Sequence, residues 1–166
     1  MKNITRALRH LATTTSTGRR AFPARTLEAI QAAIAAGEKQ HRAEVRLIIE
    51  PALPMQMAAG GHSARERARE LFSLYRIWDT EENCGILVYI NLADHKVEII
   101  ADRAVGRALA AGDWQTVCKT MTQGFARGEF HDSAIAGLTQ LNGLLAAKFP
   151  DDGARQNQLS NRPLIL

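Results

Sequence analysis

The side chains best suited to chemistry are the carboxylates flanking two strand-like runs. Asp79, Glu81 and Glu82 precede the apolar run at residues 86–90, Asp102 follows the next run, and Glu50 ends an earlier one. Hard cations such as Ca2+ or Mg2+ draw several oxygen ligands from loop clusters of this kind. If the two loops meet, Asp79, Glu82, Asn83 and Asp102 can supply those oxygens. A cation held there would polarise a phosphate and activate water, and the neighbouring Arg103 can neutralise charge developing on the phosphoryl oxygens. Open α/β sheets present such sites where loops leave the carboxyl ends of their strands. The same acidic residues also suit helix capping, turns and ion pairing with Arg76 or Arg103.

Other chemistries find less support. No GxxxxGK[ST], GxGxxG or GxSxG occurs, so the phosphate-cradling loops and the esterase elbow are missing. His10, His41, His62, His95 and His131 stand apart, with no pair at zinc-site spacing, and read as surface or loop residues. Ser63, Ser73 and Ser133 have no base at an evident spacing, which leaves no activated nucleophile. Cys84 and Cys118 read as reduced residues in or near the core.

The elements that must position the carboxylates follow from periodicity. Residues 86–90, ILVYI, form an unbroken apolar run suited to a strand covered on both faces. After a polar turn, Val97, Ile99 and Ala101 alternate with Lys96 and Glu98, giving a hairpin partner with one wetter face. EVRLIIE at residues 44–50 predicts a first strand, ended by Pro51 and Pro54. Residues 55–61 read as an irregular loop. Helices are predicted after Phe22-Pro23, after the capping-box pair Ser63 and Glu66, after Asp113, and from about His131 to Phe149. Helices alternating with strands predict a three-layer α/β/α sandwich with a small mixed sheet built on a central hairpin.

At 166 residues the chain suits one domain with a sizeable core. That domain is expected over residues 21–150, between a basic flexible leader at 1–20 and a flexible tail at 151–166. The net charge of +4 is uneven, because six Lys and Arg precede Glu28, the first acidic residue, and leave −2 for the remainder. A loose basic leader can attract an anionic surface or acidic partner, and removing it should leave thermal stability unchanged. No run approaches the roughly 20 apolar residues of a membrane-spanning helix. With no secretory signal evident either, the expectation is a cytoplasmic protein, with peripheral membrane association also open. Specific nucleic-acid recognition is not expected, because an aromatic stacking platform is lacking.

The stretch TEENCGILVYINLADHKVEIIADRAVG resembles the TPM domain, a family with members in photosystem assembly and receptor modulation. The matching parts are Asn83 and Gly85 entering the apolar strand, the polar turn, and the following strand ending at a glycine-containing loop near Gly106. FARGEF at residues 125–130 resembles the family's aromatic, Gly-acid-aromatic pattern. The resemblance implies an α/β/α domain that binds a divalent cation in some members, acts as an acid phosphatase in some, and serves as an assembly factor in others. Family members often carry an acidic segment before the first helix, where this chain has Arg19-Arg20-Ala21-Phe22-Pro23. Two functions are therefore expected: a binding or assembly module with an unknown protein partner and a Ca2+ or Mg2+ site, or a metal-dependent phosphatase-like hydrolase.

Overall fold

The computed structural model describes residues 2–153 and 156–166. Strands β1 (Glu44–Glu50), β2 (Gly85–Asn91), β3 (Lys96–Ala101) and β4 (Leu164–Ile165) form one sheet in the order β3-β2-β1-β4. β1 runs parallel to β2, from Glu44 opposite Gly85 to Glu50 opposite Asn91, while β3 pairs antiparallel with β2. Every residue of β2 is buried, as its unbroken apolar run requires. Each large side chain of that run is worth about 1.5–3 kcal/mol of hydrophobic stabilisation.

The helices are α1 (Lys2–Ala12), α2 (Thr15–Ala21), α3 (Ala24–Gly37), α4 (Met55–Ala59), α5 (Ala64–Leu74), α6 (Arg103–Ala108), α7 (Ala111–Ala126) and α8 (Phe130–Lys148). On one face of the sheet Val45, Leu47, Ile49, Val88 and Ile99 share a core with Ile30 and Ile34 of α3, Met121 of α7 and Leu141 of α8. On the other, Ile48, Leu87 and Tyr89 pack with Ala68 and Leu71 of α5. This is the expected three-layer α/β/α sandwich with a mixed sheet. α5 starts at the Ser63 capping box, in which Ser63 Oγ accepts from the Glu66 N–H and Glu66 Oε2 from the Ser63 N–H.

Three segments depart from the expected outline. Residues 55–59, read as loop, form α4. The stretch at 1–20, read as a loose leader, forms α1 and most of α2 and is tied to the body: Arg6 and His10 reach Asp94, and a Cβ on Gly18 would lie 2.8 Å from Pro51 Cγ. The Thr-rich tract at 13–17 marks the break between α1 and α2, where its hydroxyls serve the helix ends: Thr13 Oγ1 donates to the Arg9 carbonyl and Thr17 Oγ1 accepts the Thr14 N–H. Met1 lies outside the described residues, as do residues 154–155 of the expected flexible tail. The rest of that tail is anchored: β4 pairs with β1 at Ile48 and Ile49, and the Arg46 guanidinium donates to the carbonyls of Ser160 and Arg162 at 2.7 and 2.6 Å. Long-range partners hold both ends where local sequence signals an irregular chain.

Candidate functional site at the amino rim of the sheet

β1 and β2 begin at one rim of the sheet, and β3, being antiparallel, ends there. The two acidic connections therefore meet at this rim. The Asp102 N–H donates to the Gly85 carbonyl at 2.9 Å, and the Ala104 N–H donates to the Asn83 carbonyl at 3.1 Å. Asn83 takes the left-handed conformation, φ 54°, which Asn tolerates well, to turn the chain into β2. Gly85 follows because a Cβ there would overlap the backbone carbonyl of Ile77.

The four predicted metal ligands share the rim but not a common point. Asp79 is exposed and paired with Arg76 at 2.7 Å, and Glu82 is paired with Arg42 at 3.4 Å. Asp102 caps α6, its Oδ1 accepting from the Arg103 N–H at 2.7 Å. Its Oδ2 is buried with no hydrogen-bond partner. Among the described residues no group of three or more His, Cys, Asp or Glu is close enough to hold a metal ion. The arrangement fits a hard cation in part: Asp102 offers a desolvated oxygen, while Asp79 and Glu82 would have to leave their arginines. Arg103 is exposed beside Asp102.

A cleft of about 670 Å3 opens at the same rim, lined by Arg42, Glu44, Glu81, Glu82 and Asp152, with Cys84 also in the wall. Arg42 lies 4.2 Å over the Phe149 ring and 3.4 Å from both Glu82 and Asp152. Glu44 is fixed by accepting the Gln158 and Leu159 N–H groups at 3.1 and 3.0 Å. Behind it, burial pushes the Glu38 carboxyl up to about 7, with the Glu44 charge acting in the same direction, although Glu38 accepts a bond from the Val45 N–H. Burial also raises the Cys84 thiol, so this cysteine is not an activated nucleophile.

Glu50 lies at the opposite, carboxyl rim. Arg67 grips both its carboxylate oxygens, with contacts of 2.8 to 3.2 Å, and the Tyr89 hydroxyl donates to it at 2.6 Å. Burial, then the Glu50 charge, drives the Tyr89 phenol well above its ordinary value. Asn91 donates to the Tyr89 oxygen and accepts the Asp94 N–H. The carboxylate of Asp94 accepts from Arg6 at 2.6 and 2.8 Å, and from His10 Nε2 at 3.1 Å. His10 Nδ1 accepts the Leu53 N–H, which assigns the proton of the neutral ring to Nε2. Burial alone would raise the Asp94 carboxyl, but the Arg6 and His10 bonds outweigh it and hold it below the usual aspartate range.

Sequence reasoning missed this network, and two of the five histidines expected at the surface or in loops, His10 and His41, are buried, whereas His95 and His131 are exposed. The available signal was the i, i+4 spacing of Arg6 and His10, which puts both on one helix face.

A model of the TPM domain matches residues 18–144, most of the chain. The chain belongs to the TPM domain family. Two chains of known structure match this one. One is the NMR structure of BA42 from the psychrophilic bacterium Bizionia argentinensis, with a TM-score of 0.76 and 22% identity over 87% of this chain and 94% of that one. At that identity the likeness speaks to the fold. Comparison with curated proteins gives no match. Among the described residues no helix is long and apolar enough to cross a membrane.

Proposed function

We propose that this TPM domain is a binding module whose amino rim takes a divalent cation, Ca2+ or Mg2+, as part of its ligand-binding surface. The observation that carries the reading is the buried, unpartnered Oδ2 of Asp102 at the junction of the two acidic loops. A desolvated carboxylate oxygen without a donor is costly unless a cation or water meets it. The adjoining cleft is acidic: among its described lining residues, Glu44, Glu81, Glu82 and Asp152 face the single guanidinium of Arg42. Asp102 would be the fixed ligand, with Asp79, Glu82 and the Asn83 side chain closing on the ion from the lip. The ion would then supply charge neutralisation that lets the rim meet a partner.

The test is thermal unfolding with and without metal. A ligand at one hundred times its dissociation constant stabilises by about 2.7 kcal/mol, so millimolar Mg2+ or Ca2+ should raise Tm, and Asp102→Asn should remove the rise. No rise, or an equal rise in the variant, overturns the reading. The partner of such a module is proposed to be an acidic protein or anionic surface, because Arg9, Arg19, Arg20 and Arg25 remain exposed around α1 to α3. Binding that ignores salt would contradict that assignment.

A phosphatase-like hydrolase is the second reading. It is favoured by one feature, the exposed Arg103 guanidinium directly after Asp102, placed to neutralise phosphoryl charge beside a bound ion. Metal-dependent release of p-nitrophenol from its phosphate ester, lost in Arg103→Ala, is its expected result. Metal binding without turnover leaves the binding module as the function.

A further inference from the structure

The carboxyl rim carries a second cavity of different chemistry. It encloses about 500 Å3 between α1, α2, the β2–β3 turn and the α7–α8 junction, and its lining includes Arg9, Arg20, Thr17, His95, Phe125 and Phe130. Phe125 and Phe130 stack with centroids 5.3 Å apart and planes at 22°. The buried Phe22 meets both edge-on, at 5.7 and 5.6 Å. The floor is thus a braced aromatic surface, half open to the cavity.

The walls are cationic. Among the described residues no carboxylate lines the cavity. The acidic residues adjoining the lining in sequence are already matched: Asp94 accepts from Arg6 and His10, leaving Arg9 only a long contact of 3.5 Å, and Glu129 is paired with Arg127 at 2.7 Å. Arg20 is exposed, and His95 sits in a left-handed turn, φ 53°, at the cavity mouth. Two guanidiniums beside an aromatic floor suit a ligand with a flat apolar body and one anionic end, since arginine holds a planar carboxylate with paired N–H donors. The volume falls within the range of small-molecule sites.

We propose that this cavity binds a small organic acid, its aromatic or other flat body lying on Phe125 and Phe130 and its carboxylate between Arg9 and Arg20. Arg9, Thr13 and Thr17 precede the segment matched by the family model, which begins at residue 18. One wall of the pocket therefore lies outside the matched segment. The site is independent of the amino-rim cleft, at the other end of the same strands.

The experiment is titration of the full chain with 1-naphthoate, followed by amide chemical shifts, beside three controls: 1-naphthalenemethanol, inorganic phosphate and phosphatidylserine vesicles. Saturable shifts are expected for residues 9–20, 91–95 and 125–130. The neutral alcohol and inorganic phosphate should each bind at least tenfold more weakly. Arg20→Gln and Arg9→Gln change exposed side chains, so the fold should persist, and each should weaken naphthoate by about tenfold. Equal binding of the alcohol would make the cavity an unselective apolar slot and overturn the proposal. Equal binding of phosphate would reduce it to surface charge, with the same consequence. Vesicle binding that depends on Arg9 and Arg20, with no response to naphthoate, would reassign the residues to a membrane surface and also overturn it.

Discussion

Replacing Asp94 by Asn tests how the amino-terminal helices are held. The carboxylate accepts bonds from Arg6 Nε and Nη2 at 2.8 and 2.6 Å and from His10 Nε2 at 3.1 Å. Asn keeps the shape but turns one acceptor into a donor that faces other donors. Breaking one partner of a fully buried ion pair costs about 3–5 kcal/mol. With side-chain exposures of 16% for Arg6 and 9% for Asp94, solvent screening reduces this to about 2–3 kcal/mol. For a chain of this size that corresponds to a fall in Tm of about 4–12 °C. The pH dependence has a definite sign. The folded Asp94 carboxyl lies below its ordinary value, so its contribution is complete above about pH 4 and is lost as pH falls through the folded value. The deficit of the variant should therefore be full at pH 7 and vanish in acid. Urea unfolding across pH, with hydrogen exchange of residues 2–21, measures both quantities. An unchanged Tm with unchanged protection of α1 would show that this network does not hold the helix. By the same reasoning, removing residues 1–20 should lower stability, contrary to the expectation for a loose leader.

Other expectations follow from the rim and core. Glu38 is raised to about 7 by burial, so the folded state binds the extra proton between its ordinary value and about 7, and stability falls as pH rises through that window. Glu38→Gln cannot ionise and should gain on the wild type between pH 5 and pH 8; Tm differences that stay constant with pH would contradict this. Gly85→Ala forces a Cβ onto the Ile77 carbonyl and should cost on the order of 3 kcal/mol, the upper end of overpacking effects. A loss under about 0.5 kcal/mol, the level of an ordinary surface change, would mean that the rim loop moves aside. Ser63→Ala removes the acceptor for the Glu66 N–H and should cost about 0.5–2 kcal/mol in urea unfolding, with no effect on metal binding.

The elements readable in the sequence are those whose burial is two-sided or strictly periodic. ILVYI announces β2 because both of its faces are covered, and Ser63 with Glu66 announces α5 because the cap is local chemistry. Leu164 and Ile165 carry no such sign: two residues show no period, and their partners Ile48 and Ile49 are 116 positions away. α1 inverts the usual pattern. It docks through Arg6 and His10 and leaves Ile4, Leu8 and Leu11 exposed at 60–67%, so apolar spacing identifies a helix but gives the wrong inner face. The site was legible in part. That the loops around Asp79 and Asp102 share a rim follows from the hairpin. The carboxyl-end rule points instead to Glu50, because it does not allow for a hairpin strand, β3, that runs backward. The Arg76 and Arg42 pairings of Asp79 and Glu82 depend on tertiary placement.

The proposed amino-rim site stands or falls with Asp102 as the fixed oxygen ligand of a hard cation. Amide chemical shifts recorded during titration with Mg2+ and Ca2+ read it residue by residue. Saturable changes should centre on residues 79–84 and 102–104 and disappear in Asp102→Asn. Shifts scattered over the surface carboxylates, or a rim that stays silent through millimolar metal, would contradict it.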